Sequence, residues 1–231
     1  MNKMNFKMSV AIPTHEMQNK EHYFRRCMDS LWDQTFQDFE IVVTDNSEDD
    51  VIKDLCDNWY KKDVRYYRNP NKGMAPNTNE VIKRSAGDLI KILYMDDFMA
   101  HNRALEHIYN AFRFNTEWLV TGCNHVQGFD DKRINPHMPS YTEGIIYGEN
   151  TIGSPSVLTI KNHFSDQIYF DEGMQWVLDC DFYKRLHDTY GEPTILKEIC
   201  TTIGWHEGQM TNTMGEARKL QEADYLRAKY V

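Results

Sequence analysis

Two adjacent carboxylates, Asp96 and Asp97, directly follow the largely apolar run 89–95. Such a run is typical of a buried parallel strand, and ligands of open α/β sheets bind where these strands end. Neighbouring carboxylates repel each other unless a cation or solvent relieves them, and hard divalent ions prefer oxygen ligands. The pair therefore indicates a divalent metal site, although a solvated Asp-Asp turn would have the same sequence.

Polar side chains also follow the first two predicted strands. The strand 8–12 is expected to stop at Pro13, which cannot donate to a sheet ladder, and the strand 39–44 ends in a second polar group. The residues that follow the two strands are Thr14, His15 and Glu16, then Asp45, Asn46 and Ser47. Because parallel strands end at the same edge of a sheet, these groups should lie near Asp96.

The elements that must position these residues alternate between strands and helices. This alternation predicts parallel βαβ units with right-handed crossovers, and hence an α/β fold with a mostly parallel sheet flanked by helices. The predicted strands are 8–12, 39–44, 64–67, 89–95, 118–122, 156–160 and 195–203. The predicted helices are 23–34, 51–60, 77–85, 101–112, 176–186 and 217–230. The segment 124–147 has weak periodicity and is expected to be a hairpin or a mobile loop.

Composition limits the possible functions. A formal net charge of −9 and a pI near 5.5 argue against a nucleic-acid-binding surface. The five cysteines are scattered and form no C-x-x-C pair, which favours a reducing, cytoplasmic location over zinc or redox chemistry. No run of eighteen apolar residues is present, so no transmembrane segment is expected, while peripheral association with a membrane stays open. The sequence does not indicate an oligomeric state.

Four segments together resemble the nucleotide-sugar-dependent glycosyltransferases of family 2, which have the GT-A fold. The second segment, which joins a helix, a Gln-Thr turn and a strand ending in Asp45, is the most specific. The segments are 9–14 (SVAIPT), 30–47 (SLWDQTFQDFEIVVTDNS), 71–79 (NKGMAPNTN) and 92–97 (ILYMDD). The resemblance covers the first hundred residues well and the rest thinly. It implies one domain with a nucleotide-sugar-binding half, 1–100, and an acceptor-binding half, 101–231.

The resemblance also implies roles for the metal-site residues. The usual family motif is Asp-x-Asp, whereas Tyr94 stands here in place of the first acid. We therefore expect Asp96 to bind Mn²⁺ or Mg²⁺, with Asp97 as its partner. His206 is similar to a late family histidine that reaches the metal or the diphosphate, although a lone histidine is more often structural. The other histidines considered, His15, His101, His125, His137, His163 and His187, form no ligand-spaced pair in the sequence.

The donor nucleotide is expected to bind at the strand ends. The resemblance places Thr14 and Asp45 against the base, because a carboxylate can accept a hydrogen bond from a ring N–H. Gly73 would let the backbone approach ribose or phosphate and Lys72 would add positive charge, although a simple turn explains them equally well. The remaining expected donor contacts are Pro13, His15, Glu16, Asn46 and Asn79.

The general base is expected in the second half of the chain. In the family, an acidic residue opens a helix a few residues before an arginine, and Asp179 fits this spacing with Arg185. Asp181 is the alternative, and a solvated helix face or a first-turn acid favoured by the helix dipole explains both residues without catalysis. A base opposite the leaving diphosphate predicts inversion at the anomeric carbon, with transfer from a nucleotide sugar, most simply a UDP-sugar, to a glycan or glycolipid acceptor.

Three other functions fit parts of the sequence. The Tyr-Met-Asp-Asp segment 94–97 is also the metal turn of reverse transcriptases, but a helical pattern follows it and the chain is acidic. A sugar-phosphate nucleotidyltransferase would need a basic, Gly-rich loop after the first strand, and the segment 13–16 is not one. A non-catalytic nucleotide- or sugar-binding module on the same scaffold stays open because Tyr94 replaces an acid.

Overall fold

The computed structural model of the protein describes residues 6–58, 64–113, 115–130 and 132–231. Within these ranges one curled sheet runs through the fold in the order β3-β2-β1-β4-β8-β6-β9-β5, and β7 pairs with β6. The strands are β1 Met8–Thr14, β2 Phe39–Asp45, β3 Val64–Arg68, β4 Leu89–Ile92, β5 Phe98–Met99, β6 Trp118–Gln127, β7 Ile134–His137, β8 Leu158–Lys161 and β9 Thr194–Trp205.

Helices cover both faces of the sheet, as the predicted α/β fold requires. The helices are α1 Lys20–Trp32, α2 Val51–Asp57, α3 Met74–Arg84, α4 Ala104–Ala111, α5 Leu178–Tyr190, α6 Met210–Thr213 and α7 Glu216–Tyr230. Successive strand residues point to opposite faces, so Val10 and Ile12 pack with α1, α2 and α4. Ala11, between them, belongs to the cluster formed with α3, α5 and α7. No helix in the described ranges is long and apolar enough to cross a membrane.

The first four strands bring the polar residues of the sequence to one edge. β1 pairs in parallel with β2 on one side and with β4 on the other, and β2 pairs in parallel with β3. The chain therefore reverses its direction of winding beside β1, which is where open α/β sheets form their binding crevice. The second half adds β8 antiparallel to β4 and β6, while β9 runs parallel to β6.

Several element bounds differ from the sequence predictions. β1 does not stop at Pro13 but continues to Thr14, paired with Thr44 and Asp45 of β2. The ladder with β4 ends at Ala11, so Pro13 has a paired strand on one side only and its missing N–H is tolerated. The end of the predicted helix 51–60 falls on residues 59 and 60, which lie outside the described residues.

The weakly periodic region 124–147 contains a hairpin, as one of the two alternatives predicted. β6 extends to Gln127, five residues beyond the predicted end at Gly122, and β7 pairs with it antiparallel. An alternating pattern of apolar and polar residues could not locate the end of β6, because the inner part of this strand is buried on both faces. The long pairing of β6 with β9 carries the chain to His206 at the end of β9.

Candidate functional site

Asp96 and His206 meet where β4 and β9 end. The Nε2 atom of His206 lies 3.1 Å from Oδ2 of Asp96, and the two side chains are only 14% and 15% exposed. A tight turn holds Asp96, because Asp97 N donates to the carbonyl of Tyr94 at 3.0 Å. We call the group formed by Thr14, Asp45, Asp96 and His206 the polar edge.

Asp97 faces the protein interior and fixes β9 against this turn. Gly204 N donates to Oδ1 of Asp97 at 2.9 Å, and the Asp97 side chain is buried. Position 204 requires glycine, because a Cβ there would lie 2.2 Å from the carbonyl oxygen of Asp96. The metal-partner role expected for Asp97 stays a prediction, and the structure adds a positioning contact that the sequence did not indicate.

A buried cation accompanies Asp97 beneath the polar edge. Lys91 of β4 has no solvent exposure and donates to the carbonyl of Ser156. Burial lowers the pKa of Lys91 to about 8, while burial and the charge of Asp96 raise the pKa of Asp97 well above its ordinary value. The opposite charges of Lys91 and Asp97 offset part of the free-energy cost of burying each group, because an unpaired charge at either position would be costly.

Thr14 and Asp45 lie side by side at the ends of β1 and β2. Oδ1 of Asp45 accepts hydrogen bonds from Oγ1 of Thr14 at 3.0 Å and from Ser47 N at 2.8 Å. Oδ2 accepts from the hydroxyl of Tyr66 at 2.8 Å. Nη1 of Arg68 lies 3.7 Å from the same Oδ2, and the Asp45 side chain has no solvent exposure, so both carboxylate oxygens have partners within the protein.

The loop before α3 is tied to the end of β2. Oδ1 of Asn46 accepts from Gly73 N at 3.1 Å, and Nζ of Lys72 donates to the Asn46 carbonyl at 2.6 Å. Gly73 has φ of 123°, a backbone conformation that favours glycine. The loop thus has the turn expected from the sequence. It lies next to Asp45, and the nucleotide contacts expected for Lys72 and Gly73 stay predictions.

His15 and Glu16 follow β1 and are exposed. Glu16 shares the buried cation of Lys20 with Asp49, since Lys20 Nζ lies 2.6 Å from Glu16 Oε2 and 2.7 Å from Asp49 Oδ1. The pKa of Lys20 is raised because these two hydrogen bonds outweigh its desolvation. The ammonium of Lys20 thus joins the loop after β1 to the segment before α2, and its charge is offset by the two carboxylates.

Asn79 is held inside the protein. Its amide donates to the carbonyl of Phe170 at 2.9 Å and to Glu172 at 3.0 Å, and its oxygen accepts from Phe170 N at 2.7 Å. The side chain is 2% exposed, so its polar atoms hold the segment before α5. The donor-binding role expected for Asn79 stays a prediction. Asn77, on the same helix, donates to the carbonyls of Thr14 and Thr44.

Asp179 lies in the first turn of α5, half-buried, with polar partners on both oxygens. Nδ2 of Asn150 donates to its Oδ2 at 2.7 Å, and Cys180 N donates to its Oδ1 at 2.8 Å. Burial raises the pKa of Asp179 to about 6, against an ordinary value of 3.8, and the hydrogen bonds oppose the rise. A carboxylate of this kind is ionised at neutral pH yet basic enough to accept a proton.

Asp181, the alternative base, is fully buried in an ionic network. Its Oδ2 pairs with Arg185 at 2.7 Å, and its Oδ1 accepts from Lys229 at 2.7 Å and from the hydroxyl of Tyr230 at 2.6 Å. Asp181 therefore joins α5 to α7 and has no free face toward a substrate. The structure favours Asp179 of the two.

Tyr94 lies between the polar edge and Asp179. Its hydroxyl is buried and has no hydrogen-bond partner among the described residues. Burial raises the pKa of Tyr94, and the negative charges of Asp179, Asp97 and Asp96 raise it further. The residue that replaces the first acid of the motif is thus within electrostatic reach of all three carboxylates.

The donor set at the polar edge fits a hard divalent ion. Two ligands about 2.1 Å from an octahedral ion, at right angles, lie about 3.0 Å apart. The 3.1 Å between Asp96 and His206 matches this separation, and it is also a hydrogen-bond length. Mg²⁺-type sites commonly have only one or two protein ligands, with substrate phosphates and water completing the shell.

Sequence reasoning missed several residues that shape the site. Lys20, Arg26, Lys91, Asn150 and Glu222 all act through contacts between distant segments, which no local pattern reveals. Arg26, for example, donates to the carbonyls of Asp96 at 3.1 Å and of Gly128 at 2.9 Å. Only the lysine within an otherwise apolar strand, Lys91, carried a signal in the sequence, because a charge at a core position needs a partner.

Solved structures share this fold. The S. aureus TarS 1-349 structure in complex with UDP-GlcNAc has a TM-score of 0.76 at 19% identity, over 96% of this chain and 66% of that one. The Pyrobaculum calidifontis mannosyltransferase PcManGT, in complex with GDP-Man and Mn²⁺, has a TM-score of 0.66 at 12% identity, over 97% of this chain and 64% of that one. The fold is therefore the GT-A fold.

Curated relatives of different lengths include glycosyltransferases. The Campylobacter jejuni GalNAc(5)-diNAcBac-PP-undecaprenol beta-1,3-glucosyltransferase is 30% identical over 217 residues, which cover 86% of this chain and 68% of that protein. The Streptococcus pneumoniae glycosyltransferase GlyA is 28% identical over 95 residues, 40% of this chain but only 13% of that protein. Residues 9–184 match the family model described as Glycosyl transferase family 2, and the chain belongs to this family.

Proposed function

We propose that the chain transfers a sugar from a nucleoside-diphosphate sugar to a hydroxyl of a glycan acceptor, with inversion. One observation carries the proposal: Asp96 and His206 form a cation-compatible pair at the polar edge. The half-buried carboxylate Asp179 lies within electrostatic reach of Tyr94, two residues before Asp96. Asp96 and Asp179 are carboxylates in different environments, which suits one of them to the donor and the other to the acceptor.

The polar edge would bind the donor. Asp96 and His206 would hold Mn²⁺ or Mg²⁺, which neutralises the charge on a diphosphate leaving group. The base would bind at the ends of β1 and β2, where a base N–H would take the place of the Tyr66 hydroxyl on Oδ2 of Asp45. The UDP-GlcNAc bound to the TarS structure supports a UDP-sugar as the first donor to test.

Asp179 would accept the proton of the attacking hydroxyl. Attack from its side displaces the diphosphate from the opposite face of the sugar, so the anomeric configuration inverts in a single displacement. The two hydrogen bonds from Asn150 and Cys180 hold the carboxylate in place and keep its pKa below neutral pH. A positioned base of this type contributes on the order of 10² to 10⁴ in rate.

A cavity of about 400 Å³ beside Asp179 could receive the acceptor. His125, His137 and Asn150 line it with polar groups, and Asn150 also holds Asp179. Polar linings with several donors and acceptors suit sugar hydroxyls. The printed name of the *C. jejuni* relative includes undecaprenol, which supports a lipid-linked glycan as one acceptor class. The five free cysteines favour a cytoplasmic site of action.

Nucleotide-dependent thermal stability tests the donor site. UDP, GDP and TDP are compared with and without Mn²⁺, and we expect one nucleotide to stabilise the protein in a Mn²⁺-dependent way. Release of UDP from UDP-sugars, followed by mass spectrometry of the products, then separates an enzyme from the alternative binding module. Formation of a nucleotide sugar from a sugar phosphate and UTP would instead indicate a nucleotidyltransferase. Failure of all nucleotides to stabilise the protein would contradict the proposal.

A further inference from the structure

Three potential metal ligands meet on β9 away from the polar edge. The ligand atoms of His101, His107 and Glu198 all lie within 4.8 Å of one another. His101 has no ligand-spaced partner in the sequence, and Glu198 comes from a strand more than ninety residues away, so spacing does not reveal the cluster.

The fold holds these three side chains together through the short ladder of β5 and β9. Met99 pairs with Thr201, and Ala100 N donates to the carbonyl of Cys200 at 2.9 Å. This register brings the start of α4, with His101 before it and His107 within it, over Glu198. Glu198 precedes Gly204 by six strand positions, which is roughly 20 Å at about 3.3 Å per residue, so the cluster is separate from the polar edge.

The distances are close to those of a four-coordinate zinc site. Ligands at about 2.0–2.1 Å in a tetrahedron lie about 3.3 Å apart. Nε2 of His101 lies 3.3 Å from Oε1 of Glu198, while Nδ1 of His107 lies 2.6 Å from the Glu198 carboxylate and would have to open by about 0.7 Å. The Nε2 atom of His101 is buried and forms no hydrogen bond within the described residues.

We propose that His101, His107 and Glu198 bind Zn²⁺, with a solvent molecule as the fourth ligand. Two imidazoles and one carboxylate suit Zn²⁺ better than Mg²⁺, which prefers oxygen ligands and octahedral geometry. The side chains are 33%, 25% and 37% exposed, so an ion can enter from solvent. Bound Zn²⁺ would tie α4 and the loop before it to β9.

Two features of the residues around this site affect metal binding. Nδ1 of His101 accepts from Arg103 N at 3.2 Å, so the proton of the neutral ring lies on Nε2. Metal binding at Nε2 would move this proton to Nδ1, and the exposed Arg103 N–H would then turn to solvent. The nearby charges of Arg103 and Arg133 oppose a cation, although Arg103 is paired with Glu106 at 3.0 Å.

Zn²⁺ titration of the full chain tests the proposal. Asp96→Ala removes the expected metal ligand at the polar edge and serves as the background for the titration. In this variant, competition with a chromogenic chelator should measure one bound Zn²⁺ per chain. His107→Ala and the conservative Glu198→Gln should each weaken this binding by more than about 100-fold, since even second-shell partners account for about 10- to 100-fold. His163→Ala is the matched control, because His163 pairs with Glu117 at 2.9 Å outside the cluster, and should have no effect.

A second measurement covers variants that lose stability. Zn²⁺ should raise the melting temperature of the Asp96→Ala chain but not that of chains that also carry His107→Ala or Glu198→Gln, and circular dichroism verifies that each variant is folded. Co²⁺ in place of Zn²⁺ should give the visible absorption of a four-coordinate ion. Equal Zn²⁺ affinity with and without His107, or an equal loss in His163→Ala, would overturn the proposal and leave His107 and Glu198 as an ion pair only.

Discussion

Asn150 donates a hydrogen bond of 2.7 Å to Asp179, and this contact joins the acceptor-side loop to the first turn of α5. The bond favours the ionised carboxylate and opposes the burial that raises its pKa to about 6. A base must be ionised to act, so the transfer rate should fall as the pH drops below about 6. The pH profile of kcat with saturating donor and acceptor measures this acid limb.

The same contact predicts how the acid limb moves. Asn150→Asp keeps the oxygen that accepts from Ile152 N and Gly153 N but replaces the donor with a second carboxylate. Like charges raise the pKa of Asp179, so the limb should shift to higher pH by about one unit or more. Asn115→Asp adds the same charge at an exposed position near the start of β6 and should leave the profile unchanged. An unshifted limb in Asn150→Asp would remove Asp179 from the role of base.

Asp179→Asn should compare more favourably with wild type in stability at pH 8 than at pH 4, while it abolishes most transfer. The folded-state pKa of Asp179 lies above its ordinary value, so the native protein binds a proton that the unfolded chain has lost between about pH 4 and pH 6. Wild-type stability therefore falls as the pH rises through this window, and the asparagine variant escapes the loss. A two-unit shift corresponds to about 3 kcal/mol, and partial exposure of the carboxylate reduces this to about 1 kcal/mol.

Urea denaturation at pH 4 and pH 8 measures the effect. The difference in unfolding free energy between variant and wild type should be larger at pH 8 than at pH 4. Asp188→Asn, which changes a half-exposed residue of the same helix paired with Lys184, should show no comparable pH dependence. A variant that is equally destabilised at both pH values would contradict the burial argument.

Asp96→Asn and Asp97→Asn should differ, although the residues are neighbours. Asp96 lies beside His206 at the polar edge, so its loss should return nucleotide affinity to the metal-free value, a fall of at least about 10-fold in the presence of Mn²⁺. Asparagine at position 97 keeps an oxygen for Gly204 N, so Mn²⁺-dependent binding should change by no more than a few-fold. Titration calorimetry with UDP, with and without Mn²⁺, compares them. Equal loss in both variants would make Asp97 a metal ligand, as the sequence analysis expected.

Asp45→Asn tests base recognition separately from metal binding. The variant keeps one oxygen for Thr14 and Ser47 N. The other oxygen, which accepts from Tyr66 and lies 3.7 Å from Arg68, becomes an amide that cannot accept from a base N–H. Loss of a charged hydrogen bond costs about 1.5–3 kcal/mol, so the UDP dissociation constant should rise about 10- to 100-fold with and without Mn²⁺. Tyr66→Phe removes only the phenol that donates to Asp45 and should have a smaller effect. A loss confined to Mn²⁺-containing samples would contradict the assignment.

The sequence predicted those parts of the site that depend on strand ends. Thr14, Asp45 and Asp96 come together because parallel strands in one sheet finish at the same edge, and local patterns are enough to locate such ends. The direction of Asn79 could not be predicted, because it is held by Phe170 and Glu172, more than ninety residues away in the chain. Glu222 and Lys91 make their contacts through side chains in segments far apart in the chain, and no periodicity encodes such pairs.

Glu222 of α7 should set the position of Asp179 without contacting it. Its Oε2 accepts from the backbone N–H groups of Gln175 at 3.0 Å, Trp176 at 2.7 Å and Val177 at 3.4 Å, just before α5 begins. The side chain is 3% exposed, so this carboxylate replaces water for three donors at the start of the helix. Glu222→Gln should lower the free energy of unfolding by about 1–3 kcal/mol, the cost of weakened charged hydrogen bonds.

The same variant should reduce kcat while it leaves the UDP dissociation constant unchanged, because the polar edge is built from β1, β2, β4 and β9. Glu216→Gln is the matched control on the same helix, since its side chain is 83% exposed and pairs only with Lys219 among the described residues. Steady-state kinetics and UDP titration separate the two effects. If Glu222→Gln weakened UDP binding as much as it lowered kcat, α7 would act on the whole fold and not on the first turn of α5, which carries Asp179.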